Sequence, residues 1–538
     1  MARRFAALLL LVSRGVLAPG VGAGEVPFGY GATYTAAELA ALDRALHAAN
    51  MTRDDLRFRK DLTEGHACFT TVRDMLHEPL RIAPWMDGMA HRTRSWMSAH
   101  GVTTLVSSAL RTSYEIPAER DGEAVLAGPA WSWDDAETPS TPEALLALIR
   151  KQLDPSGNTD DAVRRIDLFH EHDLEFDLLR LALPPAMAWH DVFAAPFDPE
   201  RTKTLEAQLE TRPDAWLHET AAKLSLSSMV DAWQVRFGVD PALLLRLPVS
   251  AFPTDEPLVV ESPHGRIALG TAGDDVYTGD YTVLIDPGGN DRYEGCRIGA
   301  AYGTDHRRVA FFADLGGDDV YDCGDVDITL GAAVLGIAAF FDLGQGDDRY
   351  VGGHCSLGAA MGGVASFYDD GGTDTYEGKT YTQGAAGFGV GVFYDDSVQE
   401  APEVTSDEGT KDPVDIGLFD NDRLAAWSNA QAFARCRGVA LCVNQRGNEI
   451  YEAGGVYLHA PLFADRYQSF SQGFAIGERG IDYAGGIAML IDHDGNDRYL
   501  GDIYNQGVGY WYSAGLLWDG GGNDTYEMTQ YGQGSGIH

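Results

Sequence analysis

Asp314-Leu-Gly-Gly-Asp-Asp319-Val-Tyr321 decides the fold, because the chain keeps returning to it. The same wording appears before it as Asp286-Pro-Gly-Gly-Asn-Asp291-Arg-Tyr293. After it come Asp342-Leu-Gly-Gln-Gly-Asp-Asp348-Arg-Tyr350 and Asp369-Asp-Gly-Gly-Thr-Asp374-Thr-Tyr376. Near the end stand Asp492-His-Asp-Gly-Asn-Asp497-Arg-Tyr499 and Asp519-Gly-Gly-Gly-Asn-Asp524-Thr-Tyr526. The tyrosines are 28, 29 and 26 residues apart from Tyr293 to Tyr376, and 27 apart from Tyr499 to Tyr526. A period of this size marks stacked supersecondary units, each covering the apolar face of its neighbour.

Working outward, the motif is rich in Gly, Asn and Asp, the residues that make turns and accept positive φ. Small and apolar residues alternate in Gly387-Phe-Gly-Val-Gly-Val-Phe393 and Ala514-Gly-Leu-Leu-Trp518, which is the period of a strand. Strands joined by turns, with no helical pattern between them, predict a parallel β-helix (β-solenoid) of ~27-residue rungs over 258–538. A β-propeller blade needs ~40 residues or more, and a leucine-rich pattern is missing. Gly270-Thr-Ala-Gly-Asp274-Asp275-Val-Tyr277 is a first copy, only 16 residues before Tyr293, so the first rung is short or belongs to a cap. Asn421-Asp422-Arg-Leu424 and Asn444-Gln-Arg-Gly-Asn448-Glu449-Ile-Tyr451 continue the period in altered form. Two insertions are expected, one near 397–415 and one near 461–485. Gln383, Gln431, Gln506 and Gln533 each fall seven residues after a motif end, so they form a second column. Inward Ala and Gly would let facing sheets approach closely. The chain stops at Gly534-Ser-Gly-Ile-His538, early in a new rung; further sequence follows, or that end pairs with another chain in end-to-end self-association.

The turn resembles the calcium-binding glycine-rich nonapeptides of the RTX family, most nearly at Gly270–Gly279 and Gly344–Gly353. The resemblance implies Ca²⁺ held by aspartates and loop carbonyls of stacked turns, with folding after secretion. It covers about eight residues per rung. RTX motifs recur every nine residues, and here one copy occurs per rung, so the family's coordination geometry does not carry over unchanged. The candidate metal ligands are Asp286, Asp291, Asp314, Asp319, Asp342, Asp348, Asp369, Asp374, Asp492, Asp497, Asp519 and Asp524. At ~5 Å spacing and an effective dielectric near 20, neighbouring aspartates would repel by about 3 kcal/mol per pair. A hard divalent cation reverses that sign. The alternative is Asx turns that splay their charges into solvent. Few sulfur or imidazole groups accompany the motif, which argues against zinc or copper.

The 538 residues carry a net charge of −40, which excludes ordinary nucleic-acid and anionic-membrane binding and suits divalent cations. Arg3 and Arg4, the apolar run Phe5–Val12 and Val21-Gly-Ala23 read as a signal peptide over 1–23. No later stretch approaches the ~20 apolar residues of a membrane span. The expected location is secreted, periplasmic or cell-surface. Cys436 and Cys442 are close enough in sequence to pair, and Cys296, Cys323 and Cys355 follow three successive tyrosines, so they are expected on adjacent rungs.

Residues 29–247 change to helical periodicity and predict an all-α domain, with apolar surface enough for a core of its own. The chain is therefore an α + β multidomain protein. Thr35-Ala-Ala-Glu38 is a capping box, and Thr52 and Thr141-Pro142-Glu143 open further helices. More helices are expected over 160–183, 199–210 and 214–236. The chemistry of this half is thin. His170 and His172 are two apart and diverge on a helix, and His66 with Cys68 lacks an orienting third group. Ser107 and Ser108 lack a nucleophile elbow, and Trp131 and Trp133 lie in a linker. The expected function is a calcium-binding β-solenoid with a structural, adhesive or binding role toward a polysaccharide or a cell-surface or matrix partner. The rival is a carbohydrate-active β-helix enzyme, by fold analogy, with His459, Arg466, Arg479 and Asp482 near the insertions as its residues.

Overall fold

The structure is a computed structural model. It describes residues 34–56, 70–91, 93, 119–120, 123–124, 138–153, 241–302, 309–334, 336–387, 389–396, 422–435, 438–459, 463–477 and 486–537. The expected signal peptide over 1–23, and Glu64, His66, Cys68, Ser107, Ser108, Trp131, Trp133, His170 and His172, lie outside these residues. So do the helices expected over 160–236, the insertion near 397–415, Cys436, Arg479 and Asp482.

From residue 258 onward the chain builds three stacked sheets that are parallel apart from one opening hairpin. One rung runs through Val309–Asp314 in sheet A, Val320–Cys323 in sheet B and Ala333–Val334 in sheet C, then returns to sheet A at Ile337–Asp342. The register is set by the motif: Tyr293, Tyr321, Tyr350, Tyr376, Leu424, Tyr451, Tyr499 and Tyr526 pair in succession across sheet B. Asp286, Asp314, Asp342 and then Asp369, Asp395, Asn444, Asp492 and Asp519 end the strands of sheet A. Leu424 and Tyr451 therefore do stand on rungs, as the altered motif copies suggest. The first rung is short because Val276–Asp280 in sheet B leads directly to Val283–Asp286 in sheet A, with no strand in sheet C. The antiparallel hairpin Leu258–Ser262 and Gly265–Leu269 opens the stack.

Side-chain size fixes the spacing of the sheets. Ala301, Ala333 and Ala360 of sheet C meet Ala310, Ala338 and Ala365 of sheet A in one small-residue cluster. Beside it Phe312, Phe340, Phe367 and Phe393 stack with centroids 4.3, 4.7 and 5.2 Å apart. The tyrosines of sheet B form a parallel stack, at 4.6 Å for both Tyr293–Tyr321 and Tyr321–Tyr350. Offset aromatic stacking adds ~0.5–1.5 kcal/mol per pair beyond area burial.

Strands of sheet A such as Ile337–Asp342 and Ile487–Asp492 are buried at every position. The inner side faces the rungs; the outer side is covered by helices. Helices α1 (Ala36–Ala48), α2 (Thr70–His77), α3 (82–91), α4 (Pro142–Leu153) and α5 (Pro241–Leu244) are described, with a two-residue antiparallel pair at Glu119–Arg120 and Glu123–Ala124. The capping box of Thr35 and Glu38 is present, and Thr141 Oγ1 accepts from the Ala144 N–H at 3.3 Å. Val72, Met86, Met89, Leu145 and Ile149 join Phe311, Phe341, Val392 and Met489 in one apolar cluster. The helices thus share a core with the outer face of sheet A, which is why that sheet reads as continuous apolar runs. Thr93 Oγ1 meets His493 Nε2 at 3.1 Å, far along the stack.

Left-handed backbone recurs at the corner after sheet B. Gln383, Gln431, Gln472 and Gln506 have φ of 52, 50, 53 and 63°. Each donates Nε2 to carbonyls of two rungs, as Gln431 does to Leu424 (2.8 Å) and Glu452 (3.3 Å). Those bonds hold the strained corner in place. Gln472 completes the column and is hidden in the sequence by the second interruption. That interruption contains an antiparallel hairpin, Leu458–His459 with Phe463–Ser471, which leads a four-stranded sheet D with Ile503–Asn505 and Gln530–Gly532.

Candidate metal centre

The Gly-Gly turn brings the two aspartates of each motif together and stacks them on those of the next rung. It works because a side chain at the second glycine has no room. A Cβ on Gly317, whose φ is 157°, would lie 1.6 Å from the Gly289 carbonyl oxygen. The second aspartate of each motif points along the stack. Asp319 Oδ1 accepts the Asp291 N–H at 2.5 Å, Asp348 Oδ1 that of Asp319 at 2.6 Å, and Asp374 Oδ1 that of Asp348 at 2.7 Å. Asp291, Asp422, Asp497 and Asp524 take the same bond from Asp275, Asp374, Glu449 and Asp497. The first aspartate receives phenols. Tyr293 donates to Asp314 Oδ2 at 2.6 Å, Tyr321 and Tyr350 both donate to Asp342 Oδ2 at 2.5 and 2.7 Å, and Tyr376 donates to Asp369 Oδ2 at 2.7 Å. Tyr451 and Tyr499 share Asp492, while Tyr277 and Tyr526 donate to Asp286 and Asp519.

The result is a line of carboxylates almost without solvent. Oxygens of Asp275, Asp286 and Asp291 lie within 4.8 Å of one another, and so do those of Asp291, Asp314 and Asp319. The pattern continues through Asp319, Asp342 and Asp348, then Asp348, Asp369 and Asp374, then Asp374, Asp395 and Asp422, with two more groups among the described residues. Asp492 lies beside Asp497 and Asp519, and Asp519 beside Asp524. All twelve aspartates read from the sequence are therefore in this column. The sequence reading quoted Asp275, Asp422 and Glu449 in motif copies without naming them as ligands, and it missed Asp395. Asp395 and Asp422 are parted by an insertion, so the rung that aligns Leu424 with the tyrosines shows its first aspartate only in the sheet A register, where Asp369 pairs with Asp395.

Burial sets the electrostatics. It pushes Asp286 up to about 9, Asp319 to about 8, Asp348 to about 10 and Asp519 to about 7, with neighbouring carboxylates adding to the shift. Desolvation raises Asp291 and Asp497 to about 6, and Asp314, Asp369 and Asp492 well above the carboxylate range. Either protons or a cation must neutralise such a column. Several oxygens lack any hydrogen-bond donor: Oδ2 of Asp291, Asp319 and Asp497, Oδ1 of Asp342, Asp369 and Asp492, and both oxygens of Glu449. Leaving a buried acceptor unmet costs about 1–3 kcal/mol, more when it is charged. Oxygen-only donors of this kind fit a hard cation. The buried acidic groups are thus able to hold metal ions. The Asx turns of the alternative reading do form, as Asp286 and Asp314 accept the Gly288 and Gly316 N–H groups, but their charges are not splayed into solvent: from Asp286 to Asp497 the ladder aspartates are buried, and only Asp275, Asp519 and Asp524 at its ends are half-buried.

Of the enzyme reading's candidates, His459 and Arg466 are among the described residues, and no hydrogen bond joins them. Arg466 sits 3.9 Å from Asp502 and 3.4 Å from Thr529, exposed on sheet D. His459 packs among Phe463, Phe470 and Tyr504, and no donor or acceptor reaches its ring nitrogens. Cys296 and Cys323 do meet on adjacent rungs, Sγ to Sγ at 3.6 Å. Cys355 departs from the expectation: it lies at the corner, with Ile328 and Tyr381, because it follows its tyrosine by more residues. Cys442 is a free thiol facing inward from sheet A. No protein-family profile, curated protein or solved structure matches the chain.

Proposed function

We propose that the chain is an exported or cell-surface protein whose repeat half is a closed parallel β-helix filled with Ca²⁺, serving a structural, adhesive or binding role. The observation that carries this reading is the set of buried carboxylate oxygens with no donor, repeated rung after rung. Calcium suits it better than magnesium. Ca²⁺ accepts irregular sets of carboxylates, whereas Mg²⁺ demands near-octahedral geometry and keeps several waters, for which a buried column has little space. Asp286, Asp291, Asp314, Asp319, Asp342, Asp348, Asp369, Asp374, Asp492, Asp497, Asp519 and Asp524 would hold the ions. No helix among the described residues is long and apolar enough to cross a membrane. A binding role fits the outward side of sheet B, where Arg349 faces Glu377 and Arg423 faces Glu452 in regular, solvent-exposed rows that a polysaccharide or matrix partner can follow.

The test is thermal unfolding of the full-length protein in EGTA, in millimolar Mg²⁺ and in millimolar Ca²⁺, with cell fractionation alongside. A large rise in melting temperature in Ca²⁺ over Mg²⁺, with the protein outside the cytoplasm, supports the reading. Equal melting in all three buffers defeats it.

A further inference from the structure

The column is not uniform. We infer that it takes one divalent cation per carboxylate group, seven in all, in a block of five followed by a block of two, and that Asn444 separates the blocks; this rests on the cation reading above.

The count comes from the geometry: five groups of three carboxylate oxygens mutually within 4.8 Å, and two more groups of candidate ligands at the same spacing, are present among the described residues. Five run without a break from Asp275 to Asp422. Successive groups share a carboxylate, as Asp319 does between the group with Asp291 and the group with Asp348. Each regular rung adds two carboxylates, and one divalent ion per rung neutralises them.

The break lies at one position. Asn444 occupies the sheet A register between Asp395 and Asp492, where a carboxylate is otherwise found. Its Nδ2 donates to Asp395 Oδ2 at 3.3 Å. An amide N–H aimed along the column puts partial positive charge where a ligand oxygen would be, and a cation cannot share that space. The same step lacks a phenol, since Leu424 replaces the tyrosine. Asp422 and Glu449 are left as the carboxylates of that step.

A second observation points to a ligand beyond the break. Glu449 is fully buried, and no donor reaches either of its oxygens. The charges beside it are those of Asp492 and Asp497. The Asp497 carboxyl lies within hydrogen-bond reach of Glu449, so a shared proton or a cation must sit between the two, and the second block places a cation there.

The experiment counts ions. Full-length protein loaded with Ca²⁺ is passed through chelating resin, and the retained metal is measured by elemental analysis and native mass spectrometry. The parent should keep seven ions. Asn444→Asp should keep eight, because it restores the missing carboxylate, and Asp395→Asn should keep six. Asp395→Asn guards against misfolding of the first variant, since it removes a buried charge. Retention of no ion by the parent overturns the cation reading and this inference with it. Retained ions at a number other than seven, or seven in a folded Asn444→Asp, overturn this inference alone.

Discussion

Replacing Asp319 by asparagine should stabilise the protein without ions and destabilise it with them. Asn keeps the acceptor that Asp319 Oδ1 offers the Asp291 N–H, and it converts the donorless Oδ2 into an N–H₂. In the ion-free state this removes repulsion. Oxygens of Asp291, Asp314, Asp342 and Asp348 each lie within 4.8 Å of one from Asp319. Two full charges at that distance repel by about 3.5 kcal/mol at an effective dielectric near 20. Burial holds the column partly protonated, so one such pair is the fair measure, about 3 kcal/mol. Spread over roughly 280 residues of repeat, that is a rise of about 5 °C in melting temperature. In Ca²⁺ the sign turns over. Asp319 serves two groups, and a hundredfold loss of affinity at each removes about 2.7 kcal/mol of linkage stabilisation per site. The assay is calorimetry of parent and variant in EGTA and in millimolar Ca²⁺. A variant that melts at or below the parent in EGTA, or that gains as much from Ca²⁺ as the parent does, would refute the reasoning.

Three further outcomes follow from the same column. In metal-stripped buffer, stability should fall as pH rises: the folded pKa values of Asp291, Asp319, Asp286 and Asp348 are raised to about 6, 8, 9 and 10 from an ordinary 3.8. The folded state then binds more protons than the unfolded one, so this stability is present below about pH 4 and lost through pH 6–10; denaturant midpoints across that range should fall, and Ca²⁺ should flatten the slope. Tyr293→Phe should cost about 2–3 kcal/mol and Tyr321→Phe only about 1, because Asp342 keeps the Tyr350 phenol whereas Asp314 Oδ2 has Tyr293 alone; urea titration of both variants checks the order. Gly317→Ala should cost about 3 kcal/mol or more, since its Cβ meets the Gly289 carbonyl, and a variant as stable as the parent would contradict the turn geometry.

What was legible in the sequence was whatever the rung repeats. Tyrosine spacing gave the register of sheet B, and the second aspartates followed from it. Even the degenerate Leu424 and Tyr451 fell in line, because register depends on position and not on chemistry. The cover on sheet A was not legible as such. Val309–Asp314 and its neighbours read as apolar runs, but a run buried on both sides cannot say which element covers the outer one. Gln472 was hidden because the hairpin before it resets the count from Tyr451. The site was legible as residues but not as a state: spacing stacked the aspartates, and only the geometry distinguishes solvent-splayed turns from a buried line with donorless oxygens.

The most direct test of the central claim is anomalous scattering from crystals of the full-length protein grown in millimolar Ca²⁺. The account predicts anomalous peaks between the carboxylates of Asp291, Asp314 and Asp319 and of the groups that follow. Carboxyl pairs sharing protons, with no density between them at that Ca²⁺ concentration, would contradict it.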